Sequence, residues 1–447
     1  MKSFTTTQDM TQYEVSQDYC EPYLGATHDD LQAARFNKYD THIDKNEFFI
    51  YDDVNHKYNI YRRVEYIENP SNAYINTGIN GSMDLNFYIE FLPTELATAY
   101  KSGAGSIFGS RSAYNSRAYQ LTTYNKVSPY DAAKCGHFLC ANNYGWSDSK
   151  APTANMLLNQ KNIIKKENLI FTRADGSTFT LTSQTFTTAA TITIFQCAGA
   201  GEPAKIKLYK LQFSRGSNVL RDFIPVKNTL TNQYGLLDTV EQKFYVSPNG
   251  VEFSGGNEII EDKNGIQYYV KNYVNVNDTK YISIGIYPDA QDSWEADFYF
   301  SGTGRNYAWG SWSGGGTALD NSYGINTYNG QLLYQYDNQE FAYNCVYGNK
   351  RMVLKANKNV FYKDGQKIGE LIEKTDNQAS RVMYVGNFNG SSYAGSGKLY
   401  SFKYWRHDEL VRDYIPVQRI SDSVYGLYDK VNGTFKISAG SAQFTGG

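Results

Sequence analysis

The chain has 447 residues, 41% of them hydrophobic, and a formal net charge of −2 with both signs spread along it. That length holds two or three domains with cores of their own. The charge balance offers no basic face for a nucleic-acid backbone or an anionic membrane, and no apolar run approaches the roughly 20 residues of a membrane-spanning helix. The unusual feature is 40 Tyr beside 38 Gly. Tyr is β-prone and its amphipathic ring suits a half-wet surface. Composition therefore predicts a turn-rich β protein, compatible with a face for stacking on sugars or partner chains.

Residues 1–62 are polar and aromatic, with AARFNKYDTHIDKNEFFIYDD in the middle, and match nothing later in the chain. They are too few to build much core alone. They read as an anchoring segment ordered by a partner, or as an extra layer on the domain that follows. Met1 to Met10 holds no apolar stretch of the secretory kind. His28, His42 and His56 recur there without ligand spacing. The five cysteines, Cys20, Cys135, Cys140, Cys197 and Cys345, have no counterparts between repeats, which argues against a disulfide framework and for synthesis in a reducing compartment.

The next units are set by an internal repeat. Residues 207–256 align with 398–447 without a gap, with roughly two positions in five identical. KLYKLQFSRGSNVLRDFIPV answers KLYSFKYWRHDELVRDYIPV, and YGLLD answers YGLYD. Weaker matches upstream pair Ala73–Ile79 with Lys280–Ile286, Ile107–Gly109 with Ala308–Gly310, and Asn168–Gly176 with Asn359–Gly365. The expected organisation is thus a first domain over 63–256, a linker over 257–264 (NEIIEDKN) and a second domain over 265–447. Period-two alternation places Tyr209, Leu211 and Phe213 on one strand face and Lys210 and Gln212 on the other. Tyr400, Phe402 and Tyr404 repeat the pattern. Asp175-Gly176 and Asp364-Gly365 predict tight hairpin turns. Pro225 and Pro416 are expected at strand ends, where no N–H is needed. No helical stripe appears in either unit.

These motifs carry a resemblance. The opening Val64-Glu65-Tyr66-Ile67-Glu68 with Tyr74–Ile79, the middle Ile107-Phe108-Gly109, the Asp-Gly hairpin and the close from Leu399 to Phe435 together resemble the concanavalin A-like, LamG-type jelly-roll domains common in phage and prophage proteins of gut bacteria. The resemblance covers about residues 63 to 447. It implies an all-β chain of two tandem antiparallel β-sandwich domains behind a short N-terminal segment, each sandwich with a concave face of the kind that often binds carbohydrate.

Some glycan-cleaving relatives of this fold carry Glu-x-Asp-x-x-Glu on one strand. Here Glu295 and Asp297 fit, but the acid position is Phe300, and the aligned stretch of the first unit offers Glu90 with no equivalent of Asp297. A retaining glycosidase needs both carboxylates, so no catalytic residue is assigned. Cys135-Gly-His-Phe-Leu-Cys140 lacks the further ligands of a zinc site. Asp289 to Asp292 is the Asp-rich loop nearest to a calcium site, without convincing ligand spacing, so neither metal nor cofactor is assigned. Arg221-Asp222 and Arg412-Asp413 recur in both copies and read as structural. Trp309 reads as core, since Phe108 takes its place in the first copy. Tyr144, Trp146, Trp312 and Tyr323 are the glycan-binding candidates, because flat aromatic faces stack on the C–H side of sugar rings.

The expected function is a non-enzymatic structural protein of a bacteriophage virion, a head fibre or tail-associated fibre. Its partners would be virion proteins through residues 1–62, itself as dimer or trimer, and host-surface or mucus glycans, with no nucleic acid and no membrane. The alternatives are a free bacterial carbohydrate-binding protein and, behind it, a glycan-cleaving enzyme.

Overall fold

Alternation of branched and aromatic residues with polar ones builds strands throughout. A computed structural model describes residues 46–52, 57–97, 105–111, 117–124, 135–142, 152–197, 203–302, 306–311, 322–375, 377–387 and 396–447, with 35 strands and no helix among them. They form two units, residues 46–258 and a second beginning at 259.

Each unit is a two-layer antiparallel sandwich. The first packs a 12-stranded sheet against a 6-stranded one, and the second an 11-stranded sheet against a 6-stranded one. The main path of the first large sheet has at its centre Leu85–Pro93, flanked by Ile206–Arg215 and Asn162–Glu167. In the second copy Ser293–Phe300 lies between Gly397–Arg406 and Lys350–Asn357. The inward rows fill the cores: Phe87, Ile89, Phe91, Leu211 and Phe213 in one, and Trp294, Phe298, Phe402 and Tyr404 in the other. Full burial of each such side chain is worth about 1.5–3 kcal/mol.

Three sequence expectations are corrected. First, residues 46–52 and 57–62 belong to the first sandwich. Glu47–Asp52 and Lys57–Arg63 form a hairpin whose Arg63 pairs with Val226. The expected linker likewise opens the second sandwich: Ile259–Glu261 and Gln267–Val270 form the matching hairpin, with Val270 on Val417. Both hairpins cover a small apolar cluster, with Tyr61 against Phe244 (4.6 Å) and Tyr268 against Phe435 (4.9 Å). Tyr61 and Tyr268 are equivalent, but Ile60 and Phe49 stand where the second copy has Gln267 and Glu261, which hid the equivalence. Residues 1–45 of the expected anchor lie outside the described residues.

Second, Tyr209 and Tyr400 do not share the core face. Leu208 pairs with Phe91 and Lys210 with Glu90, so Tyr209 is the extra residue of a β-bulge; Tyr400 is bulged in the same way between Leu399 and Ser401. The bulge keeps Leu208, Leu211 and Phe213 inward and turns the tyrosine onto the outward face.

Third, Pro225 and Pro416 lie inside strands, Asn218–Asn228 and Glu409–Arg419. Each sits where the strand exchanges one partner for another: Phe223 pairs with Leu211 but Val226 with Arg63. No ladder N–H is required at that handover. The Asp364-Gly365 turn is tight as expected, both residues having positive φ (49° and 79°) between the paired Lys363 and Gln366.

Candidate binding face

The two bulged tyrosines organise one constellation twice. In the first sandwich Lys161 Nζ lies 2.6 Å from Glu90 Oε2 and 4.8 Å from the centre of the Tyr209 ring. Tyr209 meets Tyr66 edge-on at 5.8 Å, and Lys207 Nζ lies 4.3 Å from the Tyr66 ring. In the second, Arg351 forks onto Asp297 (2.8 and 2.7 Å), with its guanidinium 3.7 Å from the Tyr400 ring. Tyr400 meets Tyr273 at 5.7 Å, and Lys398 Nζ lies 4.2 Å from Tyr273. The residue types change between copies, Glu to Asp and Lys to Arg, while carboxylate, cation and ring keep their places.

Strand register also corrects the alignment of the acids. Ile89 and Ala296 hold equivalent positions, opposite Leu211 and Phe402. Glu90 is therefore the counterpart of Asp297, and Tyr88 stands where the second copy has Glu295. Tyr88 donates to Glu90 at 2.7 Å. Burial pushes the Tyr88 hydroxyl up to about 12, aided by the Glu90 carboxylate. Burial alone would raise Glu90, but hydrogen bonds from Lys161 and Tyr88 outweigh it and hold the carboxyl below its ordinary value. On the second copy's strand, Glu295, Asp297 and Tyr299 point outward while Phe300 is fully buried. The strand itself has no bulge to bring position 300 onto the face of Glu295.

Beside this ladder the second sandwich has a shallow depression of about 330 Å3, lined by Glu295, Val353, Lys355, Asn357, Tyr362 and Gly365. Cross-strand rows explain its chemistry. Lys355 and Lys403 flank Glu295, and Tyr362 follows Lys355. In the next row Asn357 and Trp405 flank Ser293. Trp405 is half-buried, with Lys355 Nζ at 5.7 Å from its ring. The face thus offers flat rings beside both hydrogen-bond donors and acceptors.

The residues singled out from sequence fall elsewhere. Tyr144, Trp146 and Trp312 lie outside the described residues. Tyr323, expected as a stacking platform, is only 5% exposed; its hydroxyl donates to the Asn377 carbonyl and its ring packs on Tyr336. It is core, because it alternates inward with Ile325. Trp309 is fully buried, edge-on to Trp294 at 5.0 Å. Cys140 is buried with its Sγ 3.8 Å from Met83 Sδ, and burial pushes its thiol up to about 12.

The repeated Arg-Asp pairs do not pair with themselves. Arg221 Nε donates to the Thr77 carbonyl of the small sheet (3.2 Å) and faces the fully buried Asp238 at 3.4 Å. Arg412 does the same with Ile284 (3.2 Å) and Asp429 (3.6 Å). Asp238 and Asp429 in turn accept the backbone N–H of Asp222 and Asp413. Each arginine is a strut between the two layers. The sequence signal for its real partner was the repeated Tyr-Gly-Leu-x-Asp.

No family model and no curated protein matches this sequence. Among solved structures the chain is similar to the mouse laminin alpha1 chain, domains LG4-5. That likeness has 10% identity, covers 78% of this chain and 92% of that one, and has a TM-score of 0.25. It carries no argument about function.

Proposed function

We propose that this chain is a non-enzymatic glycan-binding protein that works as a fibre or decoration protein of a bacteriophage particle. In this reading the N-terminal segment docks on the particle and the outward face of the large sheet, chiefly in the second sandwich, meets surface glycans. The observation that carries the binding reading is the duplicated carboxylate–cation–tyrosine ladder, joined in the second copy to the depression lined by Tyr362, Lys355 and Glu295, with Trp405 beside Lys355. A sugar needs an apolar plane for its C–H face and convergent groups for its hydroxyls. Trp405 and Tyr362 supply the first; Glu295, Asn357 and Lys355 supply the second. The particle setting rests on the sequence resemblance and on the composition of residues 1–45.

A glycan array with the full chain tests the binding reading. Retained glycans should lose affinity at least tenfold in Trp405→Ala and Tyr362→Ala and little in Tyr323→Phe. No retention at millimolar glycan, or equal binding by both face variants, would refute it. Co-sedimentation with phage particles, lost on removal of residues 1–45, separates the virion protein from a free bacterial lectin.

A further inference from the structure

The first sandwich builds a cation into one end of its core. Lys166 is fully buried, and its ammonium donates to the carbonyls of Met83 (2.7 Å) and Leu85 (2.8 Å). Strand register identifies the same place in the second sandwich. Lys166 pairs with Phe87 as Ala356 pairs with Trp294, and Phe213 pairs with Phe87 as Tyr404 pairs with Trp294. Two residues before Phe87 stands Leu85; two before Trp294 stands Asp292. The second copy has therefore replaced an ammonium by a methyl group and an isobutyl group by a carboxylate.

What remains is a cavity of about 10 Å3, lined in part by Asp289, Asp292, Tyr323, Gln335, Ala356 and Tyr404. That is room for one small sphere, an ion or a water. Asp292 is only 6% exposed. Its Oδ2 accepts from the Tyr404 hydroxyl (2.5 Å) and the Asp289 amide (3.0 Å). Its Oδ1 is buried with no hydrogen-bond partner, and so is Gln335 Oε1. A buried carboxylate oxygen without a partner is costly, and a cation in the cavity would supply one. Outside the cavity lining, the exposed His407 reaches Asp289, with Nε2 3.0 Å from Asp289 Oδ2, and one ligand atom each from Asp289, Asp292 and His407 falls within 4.8 Å of the others. His407 occupies a left-handed turn position (φ 48°) where the first copy has Gly216 (φ 55°).

We propose that Asp289, Asp292 and His407 form a divalent-metal site of the zinc or manganese class, so that the second sandwich takes from solvent the positive charge that the first carries on Lys166. Two carboxylates balance a divalent ion. The imidazole selects a borderline metal over calcium or magnesium, which prefer oxygen-only sets. Arg406 Nη2, 3.9 Å from Asp289 Oδ2 and 41% exposed, is beyond hydrogen-bond length and has solvent to swing into. The ion would clamp the hairpin tip two residues beyond Trp405 to the loop that opens the central strand.

The test uses the untagged full chain, stripped with chelator and titrated with zinc, manganese, calcium and magnesium chlorides by calorimetry, with the tryptophan-detected melting curve as a second readout. One equivalent of zinc or manganese should bind and raise the melting temperature. Asp292→Leu and Ala356→Lys, each importing the first sandwich's residue, should abolish that equivalent. His407→Gly should weaken it at least tenfold, and because that turn is exposed it keeps the test decisive if a core variant fails to fold. The proposal falls if no ion binds below millimolar concentration. It also falls if the zinc equivalent survives His407→Gly unchanged, which would place it on other Cys or His residues, or if calcium binds more tightly than zinc.

Discussion

Replacing Arg412 by alanine should destabilise the second sandwich far more than replacing its neighbour Asp413, although the two recur together in both copies. Arg412 is the counter-charge of Asp429, which is 1% exposed. Without it Asp429 keeps hydrogen bonds from the amides of Asp413 (3.1 Å) and Val431 (3.2 Å) and from Asn432 Nδ2 (2.7 Å), but no positive charge faces it. Breaking a buried pair by removing one partner costs about 3–5 kcal/mol. The Arg412 side chain is 23% exposed, which favours the lower end, about 3 kcal/mol. Among the described residues the one ion-pair partner of Asp413, itself 12% exposed, is Lys430 at 3.7 Å, which is 45% exposed, and the solvated ammonium keeps that contact to about 0–1 kcal/mol. The assay is urea unfolding followed by tryptophan fluorescence, which reports mainly on the second sandwich because Trp294, Trp309 and Trp405, three of the five tryptophans, lie there. With an m-value of about 2–3 kcal/mol/M, Arg412→Ala should lower the midpoint by about 1–1.5 M and Asp413→Ala by no more than about 0.5 M. Equal shifts for the two variants, or a change below about 0.5 kcal/mol for Arg412→Ala, would refute the strut.

Glu90 gives a pH signature. Its carboxyl is held below the ordinary 4.5, so it binds protons more weakly folded than unfolded. Its contribution is therefore complete above that ordinary value and vanishes as pH falls through the lowered one. Lys161→Met should flatten the acid limb of the first sandwich's stability curve in that window, which denaturant titrations at stepped pH would show. Cys140, with its thiol pushed up to about 12 by burial, should resist alkylation at pH 8 until the chain unfolds; rapid labelling of Cys140 in the native chain, located by peptide mapping, would contradict its burial. Tyr323→Phe removes a buried hydroxyl that donates to the Asn377 carbonyl, and should cost about 1–3 kcal/mol in thermal or urea unfolding.

The duplicated close of each domain was legible because it is gapless and because strand periodicity survives substitution there. The class of fold followed from it. The hairpins that open each sandwich were not legible: register sets Tyr61 beside Tyr268 and Phe48 beside Ile260, but Phe49 stands where the second copy has Glu261 and Ile50 where it has Asp262. The binding face was hidden for a different reason. A strict period of two places Tyr209 and Tyr400 in the core, and only a bulge, which leaves no mark in a single sequence, turns them outward. Tryptophans in Gly-rich stretches drew attention as sugar platforms, whereas Trp405, inside the repeated strand Gly397–Arg406, was not singled out. Asp292 was read within a loop of acids. Its meaning emerged only when register set it beside Leu85 and set Ala356 beside Lys166.

The opening hairpin of each sandwich is laid against a strand made some 150 residues later, Lys57–Arg63 against Asn218–Asn228 and Gln267–Val270 against Glu409–Arg419. During synthesis of the first copy that hairpin precedes its acceptor by most of the domain, and a similar acceptor strand follows from the second copy, NVLRDFIPVKN in one and ELVRDYIPVQR in the other. The chain thus carries two keys and two similar locks. If the first copy closes before the second acceptor emerges, synthesis from the N-terminus favours the correct pairing, and refolding of the whole chain from denaturant should produce more strand-exchanged species.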